Sequence, residues 1–373
     1  ADVEAAIKDL VRSAFGHGGQ KCSAASLAIV EASVYDDPSF LRRLRDAVLT
    51  LRPGLPSDLT TDVGPLVGPT SQELERALTT LEAGESWLVA PRPVAETVWA
   101  PGVRVGVRPG SWFATTECFG PVLGVVRVAN LDEAIAVQNS TPYGLTAGLH
   151  ALDPAEIDHW RDLVEAGNLY VNRQTTGAVV QRQPFGGWKQ SSVGATAKAG
   201  GPHYVSALRH WPAPDAVDPA VTTEAFRRWA DGPGEAEDDP TGLRAERNVQ
   251  RFRPLGGAVV LRLGTDASAV AEPVACAAAT ALGVQLVISS ATRESDDELA
   301  ARLPQIGADR LRISGDVSDA LRSAAHDAHV VVDERPLSLN PAVELPRWRR
   351  EQAISRTLHR YGRVAPTDPG GAG

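Results

Sequence analysis

Methionine is absent from all 373 residues, position 1 included. A translated chain begins with that residue, so Ala1 reads as an internal position and the chain as a fragment of a longer protein. Lysine is scarce, confined to Lys8, Lys21, Lys189 and Lys198. Arginine and alanine abound, a bias expected of a GC-rich bacterial genome rather than of a basic working surface. With a net charge of −9 at pH 7, neither a nucleic-acid footprint nor attraction to an anionic membrane is expected. No apolar run nears the roughly 18 to 20 residues that a membrane span needs, and no signal peptide opens the chain. The three cysteines, Cys22, Cys118 and Cys276, lie far apart. That spacing excludes a disulfide framework and points to a reducing, cytoplasmic compartment. The eight histidines show no ligand spacing such as H-E-x-x-H, so no metal site is expected.

What is present fits an ordinary α/β globular protein. Apolar residues make up 43% and charged residues 22%, and the length allows two domains, each with its own core. Residues 2–15 place Val3, Ile7, Leu10, Val11, Ala14 and Phe15 at helical spacing behind Asp2, a ready N-cap. Residues 26–35 (SLAIVEASVY) read as a buried strand. Residues 38–51 and 71–84 read as amphipathic helices, the second ended by Gly84. Short strands and turns follow to about residue 130, then two helices around a turn-rich YGLTAG. NLYVN reads as a strand, and a Gly-rich loop runs from Gln174 to about Pro202. Residues 213–245, rich in Pro, Gly and acids around one helical piece, read as a linker. Beyond it, strands alternate with helices, which implies a parallel β/α unit. The boundaries expected are therefore 1–212, a linker at 213–245, 246–363, and a disordered tail at 364–373.

Cys22 is the residue with the most chemical promise. It follows three glycines (Gly16, Gly18, Gly19) that let the backbone approach a ligand. It precedes Ser23, Ala24, Ala25 and Ser26, which leave room for one. If it opened a short helix, free N–H groups would lower its thiol pKa and could stabilise an oxyanion.

Five collinear segments strengthen that reading. Gly19-Gln20-Lys21-Cys22, Glu117-Cys118-Phe119-Gly120-Pro121, Asn139 to Gly148 (NSTPYGLTAG), Gly167 to Asn172 (GNLYVN) and Pro184-Phe185-Gly186-Gly187 resemble, in order, the motifs of the aldehyde dehydrogenase superfamily. The resemblance covers residues 1 to about 212. It implies a partial aldehyde dehydrogenase catalytic domain followed by a C-terminal Rossmann-like β/α domain. It implies an NAD cofactor, with NADP not excluded. It makes Cys22 the covalent nucleophile, passing through a thiohemiacetal and a thioester. By the same resemblance Glu117 holds the nicotinamide ribose and Phe119 packs near the ring. The family's NAD-binding domain, oxyanion Asn and general-base Glu would lie upstream of residue 1, so the isolated fragment is expected to be inactive.

Thr175 to Val180 (TTGAVV) with Gln183-Pro184-Phe185, and Lys198 to Tyr204 (KAGGPHY), resemble the L-glutamate γ-semialdehyde (pyrroline-5-carboxylate) dehydrogenase branch. There a loop's N–H groups and a serine beside the nucleophile bind the substrate α-carboxylate. Ser23, Gly177 and Ala178 fall on those positions, and Phe185 joins them as a substrate-binding residue. Small residues suit that task, since they expose N–H groups to an anion without a cation. A succinic semialdehyde dehydrogenase and an inactive structural piece are the alternatives. Trp188 to Ser192 (WKQSS) is bulkier than the small-residue run of many members.

Residues 245–255 and 350–362 resemble the C-terminal domain of long proline utilization A proteins, which join a flavin-dependent proline dehydrogenase to this dehydrogenase. FAD is then expected only in a proline dehydrogenase part outside this chain. The partners expected are the aldehyde, the N-terminal domains of the same polypeptide, and further copies in a homo-oligomer. No G-x-G-x-x-G follows any strand of the C-terminal third, so a structural role is expected there.

Overall fold

The computed structural model describes residues 1–194, 197–237, 239–360 and 363–364. It forms two compact units. The first comprises Ala1–Ala178, Leu243–Arg247 and the chain from Ile354 onward; the second comprises Val179–Gly242 and Asn248–Ala353. The segment expected to be a disordered tail lies, from residue 365 on, outside the described residues.

The first unit opens with helix α1 (Val3–Phe15), whose N-cap Asp2 accepts from the Ala5 N–H. Strand β1 (Leu27–Glu31) follows, then helix α2 (Pro38–Leu49) and helix α3 (Gln72–Thr79). Strands β2 (Ser86–Val89), β3 (Gly102–Val105) and β4 (Val122–Val128) complete a sheet of order β1-β4-β3-β2. β4 runs parallel to both β1 and β3, while β2 and β3 are antiparallel, so the sheet is mixed. β4 reads VLGVVRV because it is covered on both faces. Leu123 and Val125 join the core with Ile7, Phe15, Phe40 and Leu44, whereas Val122, Val126 and Val128 join Leu74, Leu78 and Phe113. Helix α4 (Leu131–Asn139), strand β5 (Thr146–Leu149), helix α5 (Pro154–Leu163) and strand β6 (Asn168–Val171) follow, with β5 and β6 parallel.

Two local expectations need correction. The strand at residues 26–35 stops at Glu31, and Ala32–Tyr35 close a helical turn instead. Helix α3 ends at Thr79, five residues before Gly84, because Thr80 is extended (φ −121°, ψ 131°). The cause is not local. Arg104 on β3 is fully buried, pairs with Glu85 at 2.9 Å, and donates from Nη2 to the carbonyls of Ala77 and Thr80. A cation thus meets the helix C-terminal carbonyls, where the backbone dipole favours it.

In the second unit, helix α6 (Pro219–Ala230) precedes strand β7 (Glu246–Arg253), which crosses from one unit to the other. Then β8 (Ala258–Leu263), α7 (Ala271–Leu282), β9 (Leu286–Ser290), α8 (Asp296–Ile306), β10 (Ala308–Ser314), α9 (Asp319–Asp327) and β11 (Val331–Asp333) alternate as expected. They build an all-parallel sheet of order β9-β8-β10-β11. Ser295 and Glu298 form a capping box at the start of α8, and Gly307 ends it at φ 64°. Strand β12 (Arg350–Thr357) follows, its last residues belonging to the first unit.

Candidate active site

The topology of the first sheet explains why two distant motifs meet. β1 and β4 are parallel neighbours, with Leu27 opposite Gly124. The loops entering them, which carry Cys22 and Glu117–Gly120, therefore emerge at the same end of the sheet. Between α1 and β1 the backbone turns through three consecutive left-handed residues, His17 (φ 63°), Gly18 (φ 64°) and Gly19 (φ 69°). Gly19 is required for a second reason. A Cβ there would lie 2.3 Å from the Gly120 carbonyl oxygen, so any side chain would push the two loops apart.

Gln20 locks them together. Its Nε2 donates to the Phe119 carbonyl at 3.2 Å, and its Oε1 accepts from the Val67 N–H at 2.8 Å. Next, the Ala24 N–H donates to the Lys21 carbonyl at 2.9 Å, which makes Lys21–Ala24 a β-turn. Cys22 and Ser23 occupy its corners. The helix start considered from the sequence is thus corrected: a turn holds Cys22, and the next element is β1. Cys22 is exposed and Ser23 is buried at 6%. Neither backbone N–H finds an acceptor among the described residues.

Cys118 is the counter-example. It is buried in the core beneath the second loop, and burial, seconded by Glu117, pushes its thiol up to about 12. Such a thiol stays protonated and inert. Cys276, exposed on α7, has its thiol raised by partial burial and by Glu272.

Phe119 sits in the left-handed region at φ 53°, a strained conformation for an aromatic residue. Its N–H donates to Glu117 Oε1 at 3.0 Å and its carbonyl accepts from Gln20, so both backbone groups are fixed. The ring is left 41% exposed. Glu117 reaches solvent by surface area, yet the surrounding protein pushes its carboxyl above the ordinary value, with the Phe119 N–H pulling the other way. A carboxylate able to accept from a hydroxyl beside an exposed flat ring suits a ribose and its attached heterocycle. The donor set therefore fits the NAD role expected of this pair.

The loop leaving β6 completes the site within the first unit. Asn172 turns it at φ 55° and clasps Ala151, accepting from its N–H at 3.1 Å and donating to its carbonyl at 2.9 Å. Thr175 then bonds twice. Its N–H donates to Ser13 Oγ at 3.0 Å, and its Oγ1 donates to the Ser23 carbonyl at 2.9 Å. Thr176 is buried, while Gly177 (φ 85°) and Ala178 are exposed, and neither of their N–H groups finds an acceptor among the described residues. The loop is thereby pinned beside Ser23 with two donors unshared. Phe185 belongs to the second unit, where it pairs with Ala199 through two backbone bonds of 2.9 Å.

Sequence reasoning gave no site role to three residues. Ser13 donates to the Asp9 carbonyl at 2.6 Å and receives the Thr175 N–H, which makes it the joint between α1 and the loop. Its signal was a polar residue inside an apolar helix face. Tyr170 is buried, its hydroxyl pushed up to about 12 by burial against the opposing effects of Arg173 and Asn168, with Cys22 adding a smaller upward push. Lys198, buried at 4%, could have been found by rarity alone, since the chain has four lysines. No cluster of His, Cys, Asp and Glu able to hold a metal occurs among the described residues, and no described helix is long and apolar enough to cross a membrane.

The chain is similar to several known proteins. A 1-pyrroline-5-carboxylate dehydrogenase of Geobacillus sp. (strain WCH70) is 36% identical over 208 residues, which is 55% of this chain and 40% of that protein. The structure of Proline Utilization A from Corynebacterium freiburgense superposes with a TM-score of 0.83 at 41% identity, covering 98% of this chain and 38% of that one. A Thermus 1-pyrroline-5-carboxylate dehydrogenase with bound NAD gives a TM-score of 0.50 at 36% identity, covering 56% of this chain and 40% of that one. The chain thus spans about two fifths of the length of the curated relative it matches. Residues 1–210 match the model of the aldehyde dehydrogenase family, and the chain belongs to that family.

Proposed function

We propose that this chain carries the nucleophile and the carboxylate anchor of an NAD(P)-dependent L-glutamate γ-semialdehyde dehydrogenase. It would act as part of a longer, cytoplasmic, bifunctional enzyme of proline catabolism that also binds FAD elsewhere and assembles as a homo-oligomer. The observation that carries the reading is the loop pinned to Ser23, which offers the unshared N–H groups of Gly177 and Ala178 next to the Cys22 turn. Two donors without an acceptor suit a carboxylate, and Ser23 lies on the same turn as the sulfur that attacks.

The Cys22 sulfur, as thiolate, forms a bond to the aldehyde carbon while the carbonyl π pair moves to oxygen. The Cys22 N–H, which has no other acceptor among the described residues, is available to that oxyanion. Bound NAD(P), held by Glu117 at a ribose hydroxyl and by the Phe119 ring, would supply the hydride acceptor that converts the thiohemiacetal to a thioester. Water then adds to the thioester carbon, the C–S bond breaks, and Cys22 is restored with release of L-glutamate.

Steady-state kinetics of the full-length protein test this reading. Glutamate semialdehyde should be preferred over succinic semialdehyde by at least about tenfold in kcat/KM, since polar groups built for one substrate go unpaired with another. A preference for succinic semialdehyde would sink the assignment.

A further inference from the structure

The arginines inside the β/α unit are not all engaged. β10 lies between β8 and β11, and its Arg310 stands opposite Val259 and Val331. Arg310 and Arg312 therefore project from the side of the sheet where Val259 and Leu261 pack with Val274 and Trp348. Leu311 and Ile313 fill the other side with Leu299 and Leu303. Three strand arginines of this sheet, Arg262, Arg310 and Arg312, are buried with an Nε that has no acceptor. Two of them are held at the fork. Arg262 donates to Ser289 Oγ, the Glu294 carbonyl and Asp296 at 2.8, 2.9 and 2.7 Å. Arg312 reaches Asp333 and Glu344. Arg310, only 8% exposed, makes no hydrogen bond and no ion pair with any described residue.

The carboxylates around it are already taken. Asp333 meets Arg312 and Arg335, Glu344 meets Arg312 and Arg347, and Asp309 is engaged by Arg350. Arg310, Arg312, Arg335 and Arg347 thus share Asp333 and Glu344, which leaves two positive charges in excess. Burial brings the Arg310 guanidinium down to about 10, against the attraction of Asp333 and Asp309 and aided by the repulsion of Arg312 and Arg335. At neutral pH it is still charged. A buried charge without a counter-charge is unfavourable, and folded proteins pair it.

We infer that Arg310 is the base of a binding site for a doubly charged oxyanion, with inorganic phosphate as its simplest ligand. A guanidinium fork matches two oxygens of such an ion, and two negative charges balance the excess of the arginine cluster. Access is present. Of the Arg310 guanidinium nitrogens only Nε is sealed from solvent, and Arg335, in the same cluster, keeps 30% side-chain exposure. The whole cluster lies within the second unit, and the site takes no part in the Cys22 chemistry.

Titration of the full-length protein with inorganic phosphate, followed by calorimetry and by thermal unfolding against chloride at equal ionic strength, tests this. The wild type should bind one phosphate per chain that Arg310→Met binds at least about tenfold more weakly, since the variant keeps the stem and loses the charged donors. Anion sites elsewhere in the protein are common to both and cancel in the comparison. Phosphate should raise the wild-type unfolding temperature along a saturating curve, as a ligand of the folded state does. Arg310→Met should lack that saturating rise and keep only the general effect of an excluded salt, which the two proteins share. Arg310→Lys retains the charge but not the fork, and should bind phosphate about three- to tenfold more weakly than the wild type. This variant carries the test if Arg310→Met fails to fold. Equal phosphate binding by the wild type and the folded variant overturns the site. So does a wild type that phosphate neither binds nor stabilises beyond the shared salt effect.

Discussion

The turn at Cys22 and the interior of the β/α unit treat polar groups in opposite ways. In the parallel sheet of the second unit, charges sit inside strands and mostly close on one another, the Nε atoms of Arg262, Arg310 and Arg312 being exceptions among the described residues. Arg312, fully buried on β10, pairs with Asp333 and, at 2.8 Å, with Glu344. The Glu344 carboxylate also accepts from Trp348 Nε1 at 2.8 Å and the Ser338 N–H at 2.9 Å. Around Cys22 the reverse holds: four N–H groups, those of Cys22, Ser23, Gly177 and Ala178, are left without acceptors among the described residues. Polar groups that satisfy each other hold a fold, whereas polar groups held ready by their neighbours await a ligand. A cavity at the carboxyl ends of the parallel strands, lined by Asp266, Ser314 and Glu334, belongs to the first kind. Asp266 accepts from the Asp316 N–H at 2.7 Å and Glu334 from Arg322 at 2.8 Å.

The largest expected effect tests the open side of this contrast. Cys22→Ala should lower kcat of the full-length enzyme by at least about a thousandfold, as loss of a covalent nucleophile does. Cys118→Ala should leave it near wild type. Alkylation followed by mass spectrometry should mark Cys22 and Cys276 readily and Cys118 only after unfolding, because its thiol is buried and held near 12. Rapid native labelling of Cys118 would break the distinction.

Cys22 was legible from sequence because its motif is local: glycines, then Gln20, then the thiol, within seven residues. The alternation of strands and helices after residue 255 was legible for the same reason, since period and punctuation lie within each segment. What was not legible depends on pairs far apart in the chain. Nothing near Thr79 announces that Arg104 will end α3. Nothing near Ser13 announces Thr175, 162 residues later. The arginines of AVVLRL and DRLRIS look like the solvent face of half-exposed strands, yet Arg262, Arg310 and Arg312 are all buried. Their partners, Asp296, Asp333 and Glu344, come from other elements.

The closed side of the contrast predicts a cost in stability rather than in rate. Glu344→Gln removes the charge opposite Arg312 while leaving four donors aimed at one side chain. Breaking a buried pair from one side costs roughly 3–5 kcal/mol, to be read from denaturant unfolding. Arg322→Gln, in an exposed pair with Glu334 and Asp319, should leave the midpoint in place. Acid should find the same weakness. Burial alone would raise the Asp333 carboxyl, but Arg312 and Arg335 overturn this and hold it far below the usual carboxylate range. A depressed carboxyl contributes stability above its unfolded value of roughly 3.9, and that contribution is lost as pH falls below it. The second unit should therefore lose stability from about pH 4 downward. An unfolding midpoint flat through that range would refute the assignment.

The smallest effect is the most discriminating, because it touches the anchor without touching a reacting atom. Thr175→Val keeps the volume and the stiff branched side chain but deletes the donor to the Ser23 carbonyl. The Thr175 N–H still reaches Ser13, so the loop stays attached at one of its two points. One net hydrogen bond contributes about 0.5–1.5 kcal/mol, so KM for glutamate semialdehyde should rise by roughly two- to tenfold with kcat unchanged. An aldehyde without any carboxylate never uses the loop, and its KM should not move. A rise for both aldehydes would mean that Thr175 supports the Cys22 turn and not the carboxylate site. The four unshared N–H groups would then belong to one nucleophile loop rather than to two loops with separate tasks.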